Sequence, residues 1–235
     1  MLFQNSKSFG LTNNQLKILA MLSMLADHVG LQLLPGVLFL RIFGRLAFPI
    51  FAYMIAEGCA HTRHRSRYLL QILGLGLLCQ AVYTFAMQSL YMGILLTFSL
   101  SILLIYALDF FLQNKSVRRG ALLLVTVGGI LFLTLLAPML WEAQGFAVDY
   151  GALGVLLPVF IYFAPNKLQK LLVSAIVLLA RALLYGELKW FALLALPFLW
   201  LYNGRRGKLR LKYLFYIFYP AHLVIIQAIA ICLAQ

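Results

Sequence analysis

Apolar runs of about 20 residues, separated by gaps too short to hold a soluble domain, constrain this chain more than anything else in it. A bilayer offers the backbone no hydrogen-bond partners, so such runs must satisfy their own N–H and C=O groups as helices. Composition agrees: 64% of residues are hydrophobic and only 11% charged, where a soluble domain carries about a quarter. The chain therefore reads as an all-α, polytopic transmembrane helical bundle, with residues 1–235 forming a single membrane-embedded domain.

The pattern predicts about nine spans, at 16–35, 37–59, 68–88, 91–112, 120–140, 150–165, 168–186, 189–202 and 213–233. The sixth and eighth are short and contain Pro158 and Pro197. Basic residues fill alternate gaps: Arg63, Arg65 and Arg67; Lys115, Arg118 and Arg119; Lys167 and Lys170; then Arg205, Arg206, Lys208, Arg210 and Lys212. With Lys7 and Lys17, fifteen of nineteen basic residues fall on one side, which predicts a cytoplasmic N-terminus and an external C-terminus. The opposite gaps hold Glu142, Asp149, Glu187 and Lys189. The net charge of +13 thus follows the positive-inside rule and implies no nucleic acid partner. Residues 1–15 are polar, unlike a cleavable signal peptide. Cys59, Cys79 and Cys232 lie in apolar runs at spacings that fit neither a metal site nor a redox pair; buried structural thiols are expected, and no metal.

The first two spans are not plain hydrocarbon. Residues 16–58 carry Lys17, Asp27, His28, Arg41, Arg45 and Glu57, and ionisable groups at membrane depth are costly unless paired or used. Lys17 and His28 are eleven positions apart, three helical turns plus about 20°, so they share one face about 16 Å apart along the axis. Lys17 then sits at the cytoplasmic edge, where it either snorkels or binds a ligand. His28 is either a satisfied polar residue or a catalytic one. Asp27 points away from His28 and is placed to hold a neighbouring helix by pairing with an arginine. Arg41 and Arg45 stand one turn apart on the same face and keep their charge in any environment. Pairing with Asp27 and binding an anionic ligand are both open to them. Pro49 is expected to bend the second span.

Glu57, His61, Arg63, His64, Arg65 and Arg67 crowd the cytoplasmic end of the second span. They form either a positive-inside anchor or a mouth for a nucleotide's phosphates. Tyr213, Tyr216, Tyr219 and His222 recur three apart around Pro220; an interfacial aromatic belt explains the tyrosines, but His222 lies inside the span. Asp149, Tyr150 and Gly151 open the sixth span from outside and form either a solvated loop end or a receiving site. Asp109 and Arg181 read as isolated residues at helix packing or the interface.

Five stretches carry a resemblance. LKILAMLSMLADHVG, GRLAFPIFAYMIAEG followed by HTRHR, DYGALGVLLP and KYLFYIFYPAHLVI, in that order, resemble the TraX family, small polytopic proteins that acetylate the N-terminus of conjugative pilin. The Lys–ten residues–His spacing is also similar to that of the larger membrane acyltransferases that acetylate surface glycans. The resemblance implies an acetyl-CoA-dependent acetyltransferase of the bacterial cytoplasmic (inner) membrane. It matches His28 to a catalytic histidine and Lys17 to its basic partner, and it brings in Arg45, Glu57, Tyr150, Tyr219 and His222 as motif positions. Gly93 departs from it, standing where the family pattern has Asn.

Two mechanisms of different class follow. As an acetyltransferase, the chain would use His28, Asp27 and Arg45 catalytically. Acetyl-CoA would lie on Lys17, Arg41, Glu57, Arg63, Arg65 and Arg67, with the acceptor at Tyr150, Tyr219 and His222. That acceptor is a pilin-like protein, or an envelope glycan or lipid. As a proton-coupled transporter, the chain would use Asp27, His28, Arg45 and Glu57 as a relay. The absence of an internal repeat and the confinement of the polar cluster to one hairpin weigh against transport. A scaffold that binds pilin without chemistry is a third reading, and acetyl-CoA binding separates the first from both others.

Overall fold

A computed structural model describes residues 10–207 and 212–233, apart from the side chains at 86, 87, 212 and 213. Lys7, Lys208 and Arg210, which enter the charge alternation, lie outside the described residues, as do the side chains of Lys212 and Tyr213. The described chain is helical throughout and forms no strands beyond two isolated bridges. Six of its helical segments are long and apolar enough to cross a membrane: Leu38–His61, Arg65–Phe85, Ile94–Gln113, Val117–Leu140, Lys167–Tyr185 and Leu214–Leu233.

The chain divides into two compact units. One comprises Met1–Met54 and Leu178–Gln235; the other is Ile55–Val177. In the first unit, α1 (Asn13–Gln32) opens with a capping box: the Thr12 hydroxyl accepts from the Gln15 N–H while the Gln15 side chain reaches back to the Thr12 N–H. Asn13, Asn14, Lys17, Asp27 and His28 make α1 less apolar than the six, although at 20 residues it is as long. Pro35 and Gly36 form the turn into α2 (Leu38–Gly44), which packs back on α1.

The predicted second span breaks between α2 and α3 (Ala47–His61), at Arg45 and Leu46. Pro49 explains the place of the break: it has no N–H to donate to the carbonyl of Arg45, four residues back. Later in the same unit come α10 (Ala195–Trp200), preceded by a 3₁₀ stretch at Glu187–Leu194, and α11 (Lys212–Leu233), which packs on α1. The predicted eighth span is thus a 3₁₀ segment and a six-residue helix, with Pro197 inside the latter.

The second unit holds α4 (Arg65–Met87), α5 (Ile94–Gln113), α6 (Val117–Leu131), α7 (Ala137–Leu140) and α8 (Gly151–Phe163), together with most of α9 (Lys167–Tyr185). Helix α5 is its core, packing on α4, α6 and α8. The buried hydroxyls of α5 find carbonyls: Ser101 donates to Val155 at 2.8 Å and Thr97 to Asp149 at 2.7 Å. Between α6 and α7, Phe132–Leu136 widens into a π turn. Pro138 cannot donate to the carbonyl of Thr134, so the ladder shifts register there. The sixth predicted span is α8, an apolar helix of 13 residues that is shorter than the six. The cysteines are not uniformly buried: Cys59 is buried, Cys79 half-buried and Cys232 exposed at the end of α11.

Candidate functional site

The first unit gathers Lys17, Asp27, His28, Arg41, Arg45, Tyr219 and His222; the second holds Glu57, Arg63, Arg65, Arg67 and Tyr150. A side-chain contact between distant parts of the first unit joins α1 to α11. His28 Nδ1 lies 2.9 Å from His222 Nε2, across 194 positions of sequence. Ring centroids 5.0 Å apart at 25° describe nearly parallel rings. Faces in van der Waals contact stay about 3.5 Å apart, so a nitrogen–nitrogen approach of 2.9 Å is an edge-to-edge hydrogen bond between near-coplanar rings. The sequence expects His222 at the acceptor site; in the fold its Nε2 meets His28.

His222 is itself held from three directions. Its Nδ1 donates to the Phe218 carbonyl at 2.8 Å, one turn back along α11. The Phe218 ring lies face-on at 4.8 Å and 7°, and Tyr219 stands edge-on at 5.7 Å. Tyr219, expected to meet the acceptor, packs against His222. The Phe218–His222 spacing of four residues, which makes both contacts possible, was readable from the sequence, but nothing there marked Phe218 as more than a membrane aromatic.

Asp27 holds the α1–α2 hairpin. Its Oδ1 accepts from Arg45 Nη2 at 2.5 Å and from Arg41 Nη1 at 3.0 Å, and Arg41 Nη1 also donates to the Asp27 backbone carbonyl. Arg45 Nε in turn donates to the Arg41 carbonyl at 3.3 Å. The expected pairing of Asp27 with an arginine is therefore met by both arginines at once. One carboxylate against two guanidiniums leaves the hairpin net positive beside His28. Gly44 makes this close approach possible, because a Cβ there would collide with the Asp27 side chain. The sequence reading attached no role to Gly44.

Lys17 lies near the start of α1, its Nζ 5.3 Å from the centre of the Phe215 ring on α11. Arg206 lies close enough for its charge to act on Lys17. The segment bearing it is tied to α1 through hydrogen bonds from Asn13 N–H to the Arg205 carbonyl and from Asn14 N–H to the Arg206 carbonyl. The sequence counted Arg205 and Arg206 only as loop charges; the fold brings them to the head of α1.

In the second unit, Glu57 is buried and paired with Lys170, Oε1 to Nζ 2.7 Å, while His61 Nδ1 donates to the Glu57 carbonyl at 2.9 Å. Arg65 binds Asp109 Oδ2 at 2.5 Å, and Tyr162 donates to the same oxygen at 2.7 Å. Asp109 is thus not isolated: α5 supplies it to bridge α4 and α8. Arg181, in the first unit, is not isolated either, its guanidinium lying over the rings of Phe48 and Tyr185 at 5.4 and 5.6 Å. Of the basic residues expected at the mouth, Arg63 and Arg67 are exposed, whereas Arg65 is committed to Asp109.

Two loops at the far ends of the second unit's helices are zipped together. Met92 N–H donates to the Ala147 carbonyl at 2.7 Å and Asp149 N–H to the Met92 carbonyl at 2.9 Å. Tyr91 adds its hydroxyl to Asp149 Oδ1 at 2.7 Å, and burial together with that carboxylate pushes the Tyr91 phenol well above its usual range. Tyr150 follows at φ +64°, a left-handed conformation unusual for an aromatic residue, and opens α8 as its N-cap.

No solved structure matches this chain. A curated relative, the probable fimbrial assembly protein FimC, serogroup H1, of Dichelobacter nodosus, is 26% identical over 94% of this chain and 96% of its own length. The profile described as "TraX protein" matches residues 12–230, a range that takes in the α1–α2 hairpin, both histidines and the zipped loops, and the chain belongs to the TraX family.

Proposed function

We propose that this chain is an integral membrane acetyltransferase that moves an acetyl group from cytoplasmic acetyl-CoA to an amine or hydroxyl of an acceptor at the outer face of the bacterial inner membrane. The observation that carries this reading is the pair His28–His222 in the same unit as Lys17 and the net-positive Asp27–Arg41–Arg45 hairpin. A base, a cationic group near the reacting carbonyl and a separate cationic landing point are what acyl transfer from a phosphorylated thioester requires.

Lys17, with Arg205 and Arg206 near the head of the same helix, receives the phosphates of CoA. Some 16 Å further along that face, His28 takes the proton of the acceptor amine or hydroxyl as it attacks the thioester carbonyl. The positive hairpin stabilises the developing oxyanion through its field, with Arg45 kept in place by Asp27. The C–S bond then breaks, the CoA thiolate leaves, and His28 returns the proton to it. Membership of the family and the name of the D. nodosus relative support a pilus-related protein as acceptor. The charge alternation supports an odd number of crossings, near nine, with the N-terminus cytoplasmic; reporter fusions at Gln235 that are active only in the cytoplasm would contradict it.

The test is direct. Purified protein in nanodiscs is titrated calorimetrically with CoA and acetyl-CoA, and the His28→Ala variant is assayed for acetyl transfer. Binding, with transfer reduced about 100- to 10,000-fold in well-folded His28→Ala, is expected. No binding at millimolar ligand would remove the enzyme reading, and near wild-type turnover in His28→Ala would move the chemistry elsewhere.

A further inference from the structure

We propose that His222 is a positioning residue that fixes the tautomer of His28, placing the His28 proton on Nδ1 and leaving Nε2 as the nitrogen that meets the reacting group. The assignment of roles at Nε2 rests on the acyl-transfer reading above; the assignment of the proton does not.

One line of hydrogen bonds links Phe218, His222 and His28. A backbone carbonyl only accepts, so the 2.8 Å contact between Phe218 O and His222 Nδ1 places a proton on that nitrogen. A neutral imidazole carries one N–H, so His222 Nε2 is then an acceptor. His28 Nδ1 lies 2.9 Å from it and must donate. By the same rule His28 Nε2 has no proton and presents its lone pair. Two neutral histidines and one carbonyl thus settle which nitrogen of His28 is basic, with the sense of every bond set by the carbonyl at the far end.

The surroundings suit a ring that orients rather than reacts. Both His222 nitrogens are occupied, one by Phe218 and one by His28. The ring is buried, with Phe218 against its face and Tyr219 at its edge. It has no ring nitrogen left for a substrate, while His28 has one. Free imidazole populates both tautomers, so an unaided His28 would present a protonated Nε2 for part of the time. The near-coplanar contact removes that state at the cost of ordering a side chain that α11 already holds.

The experiment reads the proton itself. Full-length protein labelled with 15N-histidine is placed in nanodiscs. The four histidines are assigned with His61→Gln and His64→Gln, both at exposed positions, and the ring nitrogens of His28 are followed by NMR at neutral to mildly alkaline pH. Wild type is expected to show His28 protonated at Nδ1 and unprotonated at Nε2. His222→Phe should convert His28 to a mixture rich in the Nε2–H form, and His222→Gln, whose amide oxygen can accept, should restore the wild-type form at least in part. Transfer kinetics give a second reading: His222→Phe should lower kcat about 100-fold or more with little change in KM for acetyl-CoA, and His222→Gln should recover about tenfold. A wild-type His28 protonated at Nε2, or a His28 tautomer unmoved by His222→Phe, would overturn the proposal. If wild type shows no acetyl transfer, the enzyme reading fails while the NMR arm still decides this one.

Discussion

Arg45 reaches across the α1–α2 turn to Asp27, Nη2 to Oδ1 at 2.5 Å, and its own Nε is anchored on the carbonyl of Arg41, which binds the same carboxylate. Both side chains are mostly removed from solvent, with 10% of Arg45 and 20% of Asp27 accessible. Asp27→Asn removes the only negative charge of this triplet and leaves two guanidiniums against each other. The expected cost is about 3–5 kcal/mol, because a buried pair broken from one side strands the remaining charge. The measurement is the yield and thermal stability of detergent-purified protein. A variant as stable as wild type would mean that water or lipid already screens the arginines.

Gly44→Ala tests the same hairpin through shape alone. A methyl group there meets the Asp27 side chain, so α1 and α2 must separate or Asp27 must leave its arginines. Overpacking of this kind costs about 1–3 kcal/mol. Thermal denaturation should show the loss, and transfer activity should fall with it, because His28 is the next residue along α1. Unchanged stability would show that the two helices have room to part.

Lys17→Ala and Arg65→Gln should separate two basic residues that look alike in the sequence. Lys17 is on the helix that carries His28 and stands near Arg206; Arg65 is spent on Asp109. Calorimetry with CoA is expected to show about a tenfold or greater loss of affinity for Lys17→Ala and less than a twofold change for Arg65→Gln. The second variant should instead lose stability, by about 1 kcal/mol or less, since the pair is partly solvated. The reverse order of affinities would put the phosphates on the second unit.

Tyr91 offers a pH-dependent test outside the membrane spans. Its phenol titrates higher in the folded protein than the value of about 10 in an unfolded chain. The folded state therefore holds this proton more tightly. Its contribution is complete below pH 10 and is lost as pH rises from there toward the folded value. Tyr91→Phe should reduce stability by about 1 kcal/mol at neutral pH, through the lost bond to Asp149, and should make the decline above pH 10 shallower. Denaturation followed across alkaline pH checks both; parallel curves for the two proteins would show that Tyr91 does not contribute.

The helical character, the positions of most spans and the polar hairpin were legible because period and hydropathy are local properties. Asp27 was expected to hold an arginine, and the break near Pro49 follows from its missing N–H. The span at 189–202 was harder: its composition is apolar, but Gly186 and Pro197 favour a 3₁₀ segment and a short helix over one long helix. What the sequence did not show was partnership over distance. His28 and His222 are 194 positions apart, and Arg65 and Asp109 are 44 apart. No periodicity links such residues, so His222 read as an acceptor contact and Asp109 as isolated. Gly44 and Phe218 were invisible for another reason: their roles are an absent side chain and a backbone carbonyl.

The segment just before α1 is paired with the stretch at 201–206. Leu11 N–H donates to the Leu201 carbonyl, Asn203 N–H to the Leu11 carbonyl, and Asn13 and Asn14 to Arg205 and Arg206. During synthesis the ribosome releases residue 11 some 190 residues before residue 201, and His28 almost two hundred before His222. The first helix must therefore wait in the bilayer, with its amino end uncapped by these partners and its histidine unmatched, while the whole of Ile55–Val177 is made. A nascent chain halted before α11 would hold a complete second unit and a His28 still without His222. The contact between His28 and His222 is thus made only when the last helix arrives, and every copy halted before it lacks the pair.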